Sequence, residues 1–176
     1  DSGAKWIILC DTNGGTLPFE LEKIIKKVKG VIPENKIGVH FHNDTDNATY
    51  NTIESVRHGV KQIQGTFNGL GERCGNANLI NVASNLILKM GYSCKLKKQL
   101  GKLTSVSRHI DETLNRQSPI NLPFVGSAAF AHKGGLHISA VEKDPKCYEH
   151  IDPKKVGNER VLVLSNQSGR TNVINK

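Results

Sequence analysis

The chain has 176 residues, 37% of them hydrophobic and 23% charged, with a formal net charge of +8. That length suits one domain, or one domain with an appendage, and the longest apolar runs, WIIL and VLVL, are far too short to span a bilayer. Cys10, Cys74, Cys94 and Cys147 are scattered with no C-x-x-C spacing, which argues against a zinc ribbon or a disulfide scaffold and for a reducing compartment.

The N-terminus, DSGAKWIIL, carries no initiator Met and no basic-then-apolar leader, so it reads as a piece of a longer, non-secreted chain. The positive charge lies mostly in lysine clusters, such as Lys23, Lys26, Lys27 and Lys29, that read as solvated helix faces. Aromatics are only 5% and no basic patch is interleaved with them, which argues against a nucleic-acid partner. A basic cleft for an anionic small substrate also fits this charge.

WIILCDT (6–12) is a short apolar run ending in polar residues before Gly14-Gly15, the pattern of a buried strand entering a loop. TLPFELEKIIKKVKG (16–30) predicts a helix capped by Thr16, with Leu17, Leu21, Ile24, Ile25 and Val28 on one stripe. KIGVHF (36–41) predicts a second strand, 44–59 a second helix, KQIQGTF (61–67) a third strand, and 76–91 a third helix capped by Asn76. The order β-α-β-α-β-α, with strand starts 24–31 residues apart, predicts βαβ units in a parallel sheet. After residue 91 the pattern changes to a helix over 97–116, a loop-rich stretch over 117–137, a short helix in HISAVEKD and a strand within 148–170.

The stretch IGVHFHND (37–44) raises the chemical question. Side chains alternate faces along a strand, so His40 and His42 point the same way at the strand's carboxyl end. Two imidazoles so placed can bind one metal ion. The alternative is a pair of half-buried histidines, each satisfied by a hydrogen bond. The polar residues of all three strands gather at the carboxyl ends, which is where parallel α/β folds hold their sites. Asn76 has its own alternative, a plain N-cap.

The motifs DTNGG (11–15), GVHFHND (38–44), GTFNGLGERCGNANL (65–79), FAHKGGLHISAV (130–141) and YEHIDPKKVGN (148–158) together resemble the 2-isopropylmalate/homocitrate/citramalate synthase family of metal-dependent Claisen-type acyltransferases. The match is greatest to its citramalate synthase branch. The resemblance implies an α/β fold, the C-terminal part of a (β/α)8 TIM barrel, over residues 1–92. A helical linker subdomain and the start of a second small subdomain follow over 93–176. It implies condensation of acetyl-CoA with a 2-oxo acid, pyruvate giving citramalate, in isoleucine and leucine biosynthesis. Isopropylmalate or homocitrate synthesis is the alternative, and an inactive substrate-binding or assembly fragment is the alternative of another class. It also implies a divalent metal ion (Zn, Mn, Co or Mg), a cytoplasmic homodimer, and no nucleic-acid or membrane partner. Carried over by motif, the metal ligands are His40, His42 and Asn76, Thr12 contacts the keto acid, and His137 and Tyr148 act in catalysis from a neighbouring subunit's linker. The family's first-strand Arg and Asp, the latter a metal ligand, have no counterpart in residues 1–10. Residues 1–176 alone are therefore expected to bind metal weakly and to lack turnover.

Overall fold

A computed structural model describes residues 3–163, which divide between two compact units, Asp1–Gly91 and Tyr92–Lys176. In the first, strands β1 (Ile7–Asp11), β2 (Ile37–Phe41) and β3 (Gln62–Gln64) form a parallel sheet in the order β1-β2-β3. Helices α1 (Leu21–Lys29) and α2 (Ala48–Arg57) connect them, as parallel pairing requires. The register sets Cys10 beside His40 and His40 beside Gln64.

The central strand shows why the sheet has two unlike faces. Ile37, Val39 and Phe41 are nearly inaccessible and join Leu21 and Ile25 of α1 and Ala48 of α2 in one apolar core. Gly38, His40 and His42 alternate onto the opposite face. A Cβ at Gly38 would meet the ends of the Gln62 and Ile8 side chains, which would have to move to admit it. Among the described residues, β1 and β3 are each paired on one side only.

Helix α1 begins later than the apolar pattern suggests. Pro18–Glu20 form a 3-10 turn, and the Leu17 N–H donates to the Glu20 carboxylate at 2.8 Å. Thr16 is therefore not the cap, and its N–H donates to Asp11 Oδ2 at 3.1 Å. Leu17 and Ile24 fall off the buried stripe, leaving Leu21 and Ile25 to face the sheet. Helix α2 starts at Ala48 rather than 44, because residues 43–46 form a turn with Asp46 in left-handed backbone. The Ala48 N–H donates to Asn43 Oδ1 at 3.1 Å. Helix α3 (Leu79–Ser84) is capped by Asn78, whose side chain accepts from the Ile80 N–H at 3.0 Å, and continues into a π-helical turn over Asn85–Lys89. The expected cap at Asn76 is thus corrected by two residues, which frees its side chain.

The second unit starts with a 3-10 segment (Lys95–Lys102) and α4 (Leu103–Thr113). A loop-rich stretch leads to β4 (Ala131–His132), α5 (Gly135–Lys143) and β5 (Val161–Leu162). The two short strands pair in parallel. Leu103, Phe130, Ile138, Val141 and Val156 are its most buried apolar residues. Asn158 fastens the loop by donating to the carbonyls of Phe124 and Gly126 at 3.1 and 3.0 Å. The expected strand therefore reduces to two residues within 148–163, and its continuation to 170 lies outside the described residues.

Candidate functional site

His40 and His42 end β2 on the face turned away from the helices. Their ring centroids are 5.2 Å apart, with the planes at 70°. His42 faces Asn76 across an isolated antiparallel β-bridge. The Asn43 N–H donates to the Gly75 carbonyl at 2.9 Å and the Ala77 N–H to Phe41 at 3.1 Å, which fastens the glycine-rich loop along the strand's end. This loop folds tightly because its glycines take positive φ. Gly75 has φ +86, and a Cβ there would collide with the carbonyl oxygen of Gly69.

The polar atoms of these three residues share one property. His40 Nδ1, His42 Nδ1 and Asn76 Oδ1 are all buried and have no hydrogen-bond partner. The Asn76 amide nitrogen donates to the Leu70 carbonyl at 3.0 Å, which fixes the rotation of the carboxamide and leaves its oxygen the unsatisfied end. Each orphaned buried polar atom costs about 1–3 kcal/mol. Such costs are offset when the atoms coordinate a cation; two imidazoles with an amide oxygen suit an ion such as Zn, and Mn, Co or Mg would want a carboxylate beside them. The residues present fit a divalent ion, with all three donors neutral. Among the described residues no group of three or more His, Cys, Asp or Glu side chains could hold a metal, so no carboxylate completes the set.

Thr12 lines an open cleft of about 720 Å³ together with Cys10, Asp11, Asn13, Thr16 and Arg73. Arg73 was not anticipated as a site residue. It donates from Nε and Nη2 to the two carboxylate oxygens of Asp44 at 2.7 and 2.8 Å, and from Nη2 to the Thr12 carbonyl at 2.9 Å. The loops after β1, β2 and β3 are thereby joined at one guanidinium. Its hydrogen bonds hold the Asp44 carboxyl below the usual carboxylate range, and Asp44 in turn raises Arg73. The signal was in the sequence: an Asp directly follows the H-x-H-N run, and a single Arg sits inside a tight glycine loop.

His137 and Tyr148 belong to the second unit. His137 lies in the first turn of α5, not in a loop, and Tyr148 follows a 3-10 turn at Pro145–Cys147. Their ring centroids are 4.3 Å apart, tilted by 30°. Nearby, His132 Nε2 is 3.1 Å from the Glu149 carboxylate, as expected of a structural histidine. All four cysteines are free.

Residues 1–110 match the HMGL-like family model, and residues 124–176 match the homocitrate synthase post-HMGL domain-like model. The chain belongs to the HMGL-like family. Over 99% of its length it is 48% identical to the (R)-citramalate synthase of Aquifex aeolicus, and over 99% it is 47% identical to that of Synechocystis. A 2-isopropylmalate synthase from Sulfolobus acidocaldarius is 38% identical over 96% of the chain and 43% of its own length. The chain spans about a third (33%) of the length of the citramalate synthases. A Bacillus subtilis HMG-CoA lyase structure superposes with a TM-score of 0.58 at 25% identity, over 66% of this chain and 40% of that one. This HMGL-like chain is therefore part of a TIM barrel, as its sequence resemblance implies, with the region matching the post-HMGL model after it.

Proposed function

We propose that this HMGL-like chain is part of an acyltransferase that condenses acetyl-CoA with pyruvate to give citramalate, in isoleucine and leucine biosynthesis. The observation that carries the reading is the trio of orphaned buried atoms on His40, His42 and Asn76, in a chain whose relatives include citramalate synthases. His40, His42 and Asn76 would hold a divalent ion, which when bound would supply Lewis-acid polarisation of the keto group. Thr12, on the cleft, contacts the 2-oxo acid. His137, beside Tyr148, removes a proton from the acetyl methyl carbon. That carbon bonds to the keto carbon, the keto oxygen takes up a proton to become a hydroxyl, and water then cleaves the thioester to release coenzyme A. The protein works as a cytoplasmic homodimer in which the 130–148 segment serves the second copy's barrel. Residues 1–176 by themselves, with three neutral metal donors, bind the ion weakly and do not turn over.

The test is coenzyme A release by the full-length enzyme with added metal, comparing pyruvate with 2-oxo acids bearing an isopropyl or longer side chain. Pyruvate should give the highest kcat/KM, and a chelator should abolish release. Preference for the isopropyl acid would move the assignment to isopropylmalate synthesis. Release with none of them would leave an assembly role.

A further inference from the structure

We propose that Glu149 is a positioning residue that, through His132 and Arg160, fixes the adjoining His137–Tyr148 ring pair for proton transfer; this rests on the catalytic reading of that pair. Glu149 has a side chain only 2% exposed and is fully engaged. Arg160 donates from Nε to Oε1 at 2.6 Å and from Nη2 to Oε2 at 2.7 Å, and His132 Nε2 lies 3.1 Å from Oε1. The condensation chemistry itself has no use for this carboxylate. A buried ion network is weak evidence of stabilisation, because well-packed apolar side chains serve as well or better. Its geometry indicates the role.

Tyr148 is 47% exposed and His137 is exposed, so core packing does not set their rings. What adjoins them is the network. Glu149 follows Tyr148 directly in the chain, and the His132 ring lies edge-on to Tyr148 with centroids 6.4 Å apart. The N–H groups of Tyr148 and Glu149 both donate to the Pro145 carbonyl, at 3.1 and 2.8 Å. His132 belongs to β4, and Arg160 directly precedes β5, its pairing partner. The Val161 N–H donates to Phe130 at 3.0 Å and the Val163 N–H to His132 at 2.8 Å. A charged clasp thus references a half-exposed tyrosine to a two-stranded frame. A misplacement of about 1 Å in a reacting group can cost ~100-fold in rate, so such a clasp has catalytic consequence.

The experiment uses the full-length enzyme with histidines labelled at 13Cε1. Glu149→Gln keeps the side chain's size and removes its charge. It should lower kcat about tenfold or more, leave KM for the 2-oxo acid within about twofold, and shift the His137 resonance as the neighbouring Tyr148 ring moves. Arg160→Lys, at a position whose side chain is 37% exposed, provides a folded variant should Glu149→Gln not fold. It should show the same kcat loss and resonance shift in smaller measure. A folded variant of either kind with parental kcat and an unmoved His137 resonance overturns the proposal while Tyr148→Phe remains impaired. A Tyr148→Phe enzyme with parental kcat would overturn the catalytic reading of the pair, and this proposal with it.

Discussion

Asn76→Ala separates a metal ligand from a structural asparagine. The native side chain makes one hydrogen bond, Nδ2 to the Leu70 carbonyl, and buries one orphaned oxygen. Removing the hydrogen bond costs about 0.5–1.5 kcal/mol, and removing the orphan returns about 1–3 kcal/mol. The small void left behind offsets part of that gain. The metal-free variant should therefore unfold within about 1 kcal/mol of the parent. Metal changes the comparison. An ion present at 100 times its dissociation constant stabilises the parent by about 2.7 kcal/mol. Loss of one donor should weaken binding at least about tenfold, as even outer-shell changes do. At the same metal concentration the stabilisation then falls to about 1.4 kcal/mol, so the metal-induced rise in the unfolding midpoint roughly halves. The assay is thermal unfolding of the full-length protein with chelator and with Mn or Zn. A variant much less stable without metal, yet with the parental metal-induced rise, would show that Asn76 braces the loop and does not coordinate.

Gly75→Ala should destabilise the first unit by about 2–4 kcal/mol, since a side chain at φ +86 is strained and its Cβ meets the Gly69 carbonyl; chemical denaturation reads this, and an unchanged midpoint would refute it. Glu149 supplies an acid-sensitive contribution in the second unit. Arg160 above all, and then His132, lower its folded value below the 4.5 of an ordinary glutamate. The unfolded chain therefore takes up the proton first, so the stabilisation is whole above pH 4.5 and drains as pH falls through the lowered folded value. Glu149→Gln should cost about 2–4 kcal/mol at neutral pH, moderated by the part-exposure of Arg160, and should flatten the stability–pH curve below 4.5. A parallel-shifted acid limb in the variant would place the titration elsewhere.

The parallel sheet and the facing of His40 and His42 were legible because alternation along β2 is strict: three apolar residues go one way and Gly38, His40 and His42 the other. Element ends were less legible. Thr16 and Asn76 both read as caps because local sequence offers several polar residues in a row. Which one accepts the helix N–H depends on where the preceding loop is pulled. Thr16 is drawn to Asp11, so Glu20 holds the turn before α1 through the Leu17 N–H, and Asn76 is held against Leu70, so Asn78 caps α3. The Arg73 link was only hinted at, by the Asp after the histidines and the Arg inside the glycine loop. Its partners Asp44 and the Thr12 carbonyl lie 29 and 61 residues away, and no periodicity reports contacts across three loops.

The two ion clusters show opposite ways of using charge. Arg73 and Asp44 are 45% and 24% exposed at their side chains, where an ion pair contributes little stability and salt screens it. Their bidentate geometry still sets angle as well as distance, so the pair fixes how the loop carrying Asn76 meets the loop after the histidines. A donor set made of such atoms would need that kind of alignment, because the two imidazoles are aimed by the end of β2 and the amide oxygen by the glycine-rich loop. Glu149 is instead buried, with a cation on one side and an imidazole on the other, and adjoins rings that solvent reaches. In the first unit an exposed pair joins the loops beside the buried, unpartnered atoms of His40, His42 and Asn76. In the second a buried carboxylate aligns exposed rings. In both, the charged residues act on geometry, which is why substitutions that preserve charge but lose the fork, such as Arg to Lys, should register in function before they register in stability.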